Sequence, residues 1–185
     1  MTNRCILQIA LLLCFSTTAL SMSYDLLRFQ QRSSNLACLK LLWRLNGTPQ
    51  YCLKDRMDFK IPAEIKQPQQ LQKEDAVLII HEMLQQIFGI LQRNFSSTGW
   101  NETIIETLFV KLDKQIDLLD TALEKLEKEN FTWESMTVLH LKNYYFRIMR
   151  YLKIRLYSRC AWTVVRAEIL RNFSFLIGLT EYLRN

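Results

Sequence analysis

Apolar residues recur every three or four positions along most of this chain, and strand-like alternation is sustained nowhere. Residues 73–92 carry the repeat through Val77, Ile80, Leu84, Ile87 and Leu91. Residues 101–128 carry it through Ile105, Leu108, Leu112, Ile116, Leu119, Leu123 and Leu126, and residues 132–157 through Val138, Leu141, Tyr145, Ile148 and Leu152. Over 160–183, Trp162, Val165, Ile169, Phe173 and Leu176 fall on one stripe, while Ala167, Leu170 and Arg171 project from the opposite side. A first helix is predicted over 23–45, where Cys38 precedes Leu41, Leu42 and Leu45 at helical spacing and so shares their buried face. Five amphipathic helices that need one another's apolar stripes make an all-α bundle.

Breaks between these segments carry turn residues. Asn46-Gly47-Thr48-Pro49 ends the first helix, Asn94-Phe95-Ser96-Ser97-Thr98-Gly99 ends the second, and Ser158-Arg159 separates the last two. All three prolines lie at or before Pro68, in a long irregular connection that also holds Cys52. A connection of that length lets the first two helices run parallel, as a crossover, where a short loop would force an antiparallel hairpin.

The first 21 residues read as a secretory leader: Arg4 in a short basic start, an apolar run Ile6–Phe15, and Ala19-Leu20-Ser21 at a cleavage site. The run is about half the ~20 residues a membrane span requires. The mature chain is then 22–185, one domain with one core, secreted and not membrane-inserted. Removing Arg4 takes the formal charge from +6 to +5, with acidic and basic residues interleaved. Cys5 and Cys14 leave with the leader, so Cys38, Cys52 and Cys160 remain. With Cys38 on a buried face and the other two at segment ends, the expected outcome is a Cys52–Cys160 disulfide and a free Cys38 thiol.

Catalytic and metal motifs fail on their own terms. His81-Glu82 is followed by Gln85 where a zinc-protease helix needs a second histidine, and His140 is the only other one. No phosphate loop or nucleophile elbow occurs, so neither enzyme chemistry nor a cofactor is expected. Asp117 and Asp120 read as a solvated helix face. The basic and aromatic run from Lys142 to Arg159 suits polyanions in principle, but half its aromatics fall near the predicted core, so core packing is the preferred reading over nucleic-acid binding. Sequons stand at Asn46, Asn94, Asn101, Asn130 and Asn172; Asn101 ranks first as an acceptor, and Asn46 and Asn172 last.

Three segments resemble type I interferons: Cys52-Leu53-Lys54-Asp55-Arg56, His81-Glu82-Met83-Leu84-Gln85-Gln86-Ile87-Phe88, and Cys160-Ala161-Trp162 through Arg171. The resemblance spans the whole chain. The three remaining cysteines, Ser21-Met22-Ser23-Tyr24, Ser97-Thr98-Gly99-Trp100-Asn101-Glu102-Thr103 and Tyr182-Leu183-Arg184-Asn185 look like a branch distinct from the alpha members, which typically carry four cysteines and two bridges.

That resemblance implies a five-helix up-up-down-down cytokine bundle, secreted on viral sensing, that acts as a monomer and bridges the two chains of a cell-surface receptor. It implies that the high-affinity chain meets Leu53 and Arg56 on the loop and Arg166, Ala167, Leu170 and Arg171 on the last helix. The low-affinity chain would meet the opposite face, including His81, Glu82, Phe88 and Lys142. Gly89 stands where relatives often carry a larger residue, and Lys142 where alpha members have arginine, a point charge in place of a fork. Two rivals share the helices and the leader: a helical cytokine using a single receptor, and an amphipathic-helix protein that binds lipid or glycosaminoglycan.

Overall fold

In a computed structural model, residues 24–128 and 136–184 are described. The leader, the first residue of the predicted first helix, the Asn130 sequon and the predicted start of the fourth helix at Thr132 lie outside them. Five long helices stand among the described residues: α1 (24–44), α2 (Lys73–Leu91), α3 (Glu102–Lys128), α4 (Met136–Ile154) and α5 (Arg159–Tyr182).

Local chemistry sets the ends of these helices. The Ser158 hydroxyl accepts the Ala161 N–H at the start of α5, and the Asn101 side-chain oxygen accepts the Ile104 N–H at the start of α3. Acidic Glu74 and Asp75 sit in the first turn of α2, and Lys125 and Lys128 in the last turn of α3, each suited to the helix dipole there. Gly99 takes φ 69°, the left-handed conformation that turns the chain between α2 and α3.

The connection after α1 is more regular than its composition predicts. It contains short helical pieces at Pro49–Asp55, kinked at Cys52, and at Ala63–Lys66 and Pro68–Gln70, two of which begin on a proline whose φ is already helical. Phe59, Ile61 and Ile65 insert into the core, and Arg147 of α4 donates to the carbonyls of Phe59 and Lys60, both at 3.0 Å. The Tyr151 hydroxyl donates to the Asp55 carbonyl at 2.8 Å.

Helix directions follow from which ends meet. Tyr24 donates to Glu74, so α1 and α2 start together and run the same way. Gln115 of α3 bonds to Gln31 and Asn35, while Trp100, just before α3, donates to the Asn46 carbonyl just after α1; α3 therefore opposes α1. Arg28 pairs with Glu181, and Arg166 donates to Leu42, which sets α5 against α1 as well. The fourth helix follows α2, with Lys142 near Glu82 and Met149 near Arg93.

The apolar stripes fill the bundle. Trp162, Tyr144, Tyr145, Phe59 and Phe173 are its largest fully buried side chains, each burial of this size contributing roughly 1.5–3 kcal/mol. Ile116 and Val138, predicted in the core, are half-buried at its margin. The predicted fourth helix overruns: α4 ends at Ile154, and Leu156 and Tyr157 adopt left-handed φ of 51° and 54°. There the Tyr157 N–H turns back to the Leu152 carbonyl at 2.9 Å.

Candidate functional site

Cys52 and Cys160 are joined, with their Cα atoms 5.2 Å apart, while Cys38 is free and buried. The bridge fastens the Pro49–Asp55 turn to the first turn of α5, and between them opens a groove of about 700 Å³. Leu53, Arg56, Ala167 and Arg171 all line it, together with Met57 and Glu168. Leu53 is 58% exposed and Met57 46%, so an apolar lip faces solvent beside two guanidinium groups. Arg56 has no carboxylate partner among the described residues, whereas Arg171 lies 3.5 Å from Glu168 and over the Phe175 ring.

The other two residues picked on the last helix are placed differently. Leu170 is half-buried and outside the groove lining. Arg166 is 6% exposed and turned inward: its Nη1 donates to the Leu42 carbonyl at 3.0 Å and its Nη2 to the Gly47 carbonyl at 3.4 Å. The resemblance implied that Arg166 faces a receptor, but its long side chain reaches inward to main-chain carbonyls at and beyond the end of α1.

On the far side, Glu82 and Lys142 line a shallower groove with Leu78, Leu123 and Leu139. Lys142 is exposed, and its Nζ stands 3.9 Å from Glu82. His81 and Glu82 themselves are largely buried, at 8% and 7% exposure. His81 Nε2 lies 2.7 Å from Asp120, which gives that aspartate a partner that a simple solvated face did not predict. Phe88, two turns after His81, packs edge-on against Phe109 with centroids 5.3 Å apart. His140 meets Glu64 at 3.0 Å, and the Glu64 carboxyl is held below its ordinary value by a backbone hydrogen bond and by this imidazole. Among the described residues, no group of three His, Cys, Asp or Glu side chains forms a metal site.

A buried polar cluster between α4 and α5 escaped the sequence reading. The Tyr144 hydroxyl donates to Glu168 at 2.5 Å, Tyr145 donates to Asn172 Oδ1 at 2.6 Å, and Asn172 Nδ2 donates to the Tyr144 oxygen at 2.7 Å. Burial first, and the Glu168 carboxylate next, push the Tyr144 phenol well above its usual range. The available signal was spacing: Glu168 and Asn172 are one turn apart at the edge of the α5 apolar stripe, where a polar residue needs an internal partner. Asn172 is thus fully buried, with its amide hydrogen-bonded within the cluster. Asn46, Asn94 and Asn101 are exposed. In the basic run, Tyr144, Tyr145 and Tyr151 face the core, while Arg150 and Lys153 face solvent.

A model of the interferon alpha/beta domain matches residues 27–183. Interferon beta of Homo sapiens is 67% identical over the full length of both chains, and that of Macaca fascicularis 66%. Interferon beta of Mus musculus is 50% identical, again over both complete chains.

Proposed function

The chain belongs to the interferon alpha/beta family, and from that premise we propose that it is secreted as residues 22–185 and joins two different receptor chains on the cell surface as a monomer. It is a type I interferon cytokine and not an enzyme. Its output is proximity: one rigid body holds two ectodomains so that their cytoplasmic kinases meet, which starts antiviral, antiproliferative and immunomodulatory signalling.

The observation that carries the reading is the groove bounded by the Cys52–Cys160 tie, in which Leu53 and Arg56 from the loop face Ala167 and Arg171 from α5. It supports a high-affinity receptor site in which Leu53 buries apolar surface while Arg56 and Arg171 make charge-assisted hydrogen bonds. Leu170 borders this surface, and Arg166 acts on it from beneath by holding the chain after α1. The bridge keeps the two halves in register before binding, which lowers the ordering cost of association. The low-affinity chain is assigned to the face around the groove lined by Glu82 and Lys142, with His81 and Phe88 on the same helix α2 as Glu82. Asn101 is the first candidate for a glycan, followed by Asn130 and Asn94, with Asn172 and Asn46 last.

The test is protection from virus. Protein secreted from mammalian cells is applied to same-species cells with both receptor chains, with either one deleted, and with neither. Protection is expected only where both are present; equal protection in cells lacking a chain would refute the bridging mechanism.

A further inference from the structure

We infer that Glu168 is a positioning residue for Arg171, and that Tyr144 fixes Glu168 from inside the bundle; this rests on reading the groove between Cys52 and Arg171 as the high-affinity receptor site. Glu168 is 8% exposed, yet it lines that groove. Its Oε1 accepts the Tyr144 hydroxyl at 2.5 Å, and that hydroxyl is itself oriented by the Asn172 amide at 2.7 Å. Asn172 is held in turn by Tyr145 and by the Glu168 carbonyl. The carboxylate therefore has its plane set by buried neighbours on two helices.

Its second oxygen, Oε2, lies 3.5 Å from Arg171 Nη1 one turn along α5. A buried carboxylate is strongly unfavourable unless matched, and here one neutral donor and one cation match it. On its other side the Arg171 guanidinium rests over the Phe175 ring, 5.7 Å from the centroid. An exposed arginine normally loses several rotamers when it binds. One held between a fixed carboxylate and a ring loses fewer, and Arg171 so held lines the groove. Glu168 thus acts on the partner through Arg171.

A double-mutant cycle on receptor binding tests this, with the secreted chain flowed over the immobilised high-affinity ectodomain. Glu168→Gln retains an oxygen for Tyr144 and removes the charge that holds Arg171. Preorganisation appears mainly in dissociation, so the off-rate is expected to rise about 3–10-fold. In an Arg171→Ala background the same change is expected to do nothing, because the residue it positions is gone. Tyr144→Phe should act in the same direction, again only when Arg171 is present, and it carries the cycle alone if Glu168→Gln does not fold by circular dichroism. An unchanged off-rate in Glu168→Gln, or an equal rise in both backgrounds, overturns the positioning role. Wild-type binding by Arg171→Ala itself would instead remove the receptor-site reading on which the inference stands.

Discussion

Arg166 of α5 donates to the main-chain carbonyl of Leu42, 124 residues earlier, and so caps the last turn of α1 with a cation. That carbonyl also accepts the Leu45 N–H at 3.3 Å, and it lies at a helix C-terminus, where positive charge is favoured by the dipole. A Cβ on Gly47 would stand 3.3 Å from the Arg166 Nη2 and 3.3 Å from the Thr163 hydroxyl, so the chain passes tightly over this contact. Arg166→Ala is expected to lower stability by about 2 kcal/mol, with Arg166→Lys intermediate because an ammonium cannot fork to both carbonyls. Urea unfolding measures it. Receptor affinity of the folded Arg166→Ala protein should fall less than that of Arg171→Ala; the reverse order would make Arg166 a direct contact.

Asn172 lies in an Asn-x-Ser sequence, yet its amide is enclosed by Tyr144, Tyr145 and the Glu168 carbonyl. Glycopeptide mass spectrometry of the secreted protein should find no glycan there and should find one at Asn101. Asn172→Ala leaves buried hydroxyl groups short of partners, at about 1–3 kcal/mol each, so it should destabilise the bundle without changing glycan mass. A glycan on Asn172 in folded protein would contradict the burial.

The helical stripes were legible because burial of an amphipathic helix repeats with the turn: from Val77 to Leu91 and from Trp162 to Leu176 each predicted core position is buried. Cys38 followed the same logic. Periodicity carried less where one residue serves two helices. The inward turn of Arg166 depends on the position of Leu42, and the role of Glu168 on Tyr144 standing opposite it; helical spacing contains neither. The end of α4 was overrun because Leu156 and Tyr157 lack the glycine that usually marks a left-handed turn. On the loop, Cys52 announced itself, whereas the insertion of Phe59 and Ile65 depends on the gap between α4 and α5 and has no local signature.

Cys38 is enclosed in the core, and burial pushes its thiol up to about 12. Its ordinary value is about 8.5, so between those values the unfolded chain releases the proton while the folded chain retains it. Stability should be unaffected by this group below about pH 8 and should fall as pH rises beyond it, by at most about 1.4 kcal/mol per unit. Urea unfolding from pH 7.5 to 10.5, compared with Cys38→Ala, isolates the effect. At neutral pH a thiol reagent should label the protein only on unfolding; rapid labelling of native protein would show that Cys38 is open to solvent.

Leu156 is 86% exposed and holds φ at 51°, a conformation in which its Cβ crowds the following carbonyl. Its side chain contributes little packing at that exposure, so substitution tests backbone strain almost alone. Leu156→Ala keeps a Cβ and should leave the thermal midpoint unchanged. Leu156→Gly removes the crowding, worth about 1–2 kcal/mol, against about 0.5–1 kcal/mol for the added freedom of the unfolded chain. Taking the middle of each range, the net expectation is a gain of about 0.75 kcal/mol, or roughly 1.5–3 °C in a domain of this size. The turn keeps its geometry in the variant, because Tyr157 N–H still meets Leu152 and the Ser97 hydroxyl still donates to the Tyr157 carbonyl at 2.6 Å. Equal midpoints for the glycine and alanine variants would mean that the left-handed turn after α4 carries no strain at this position.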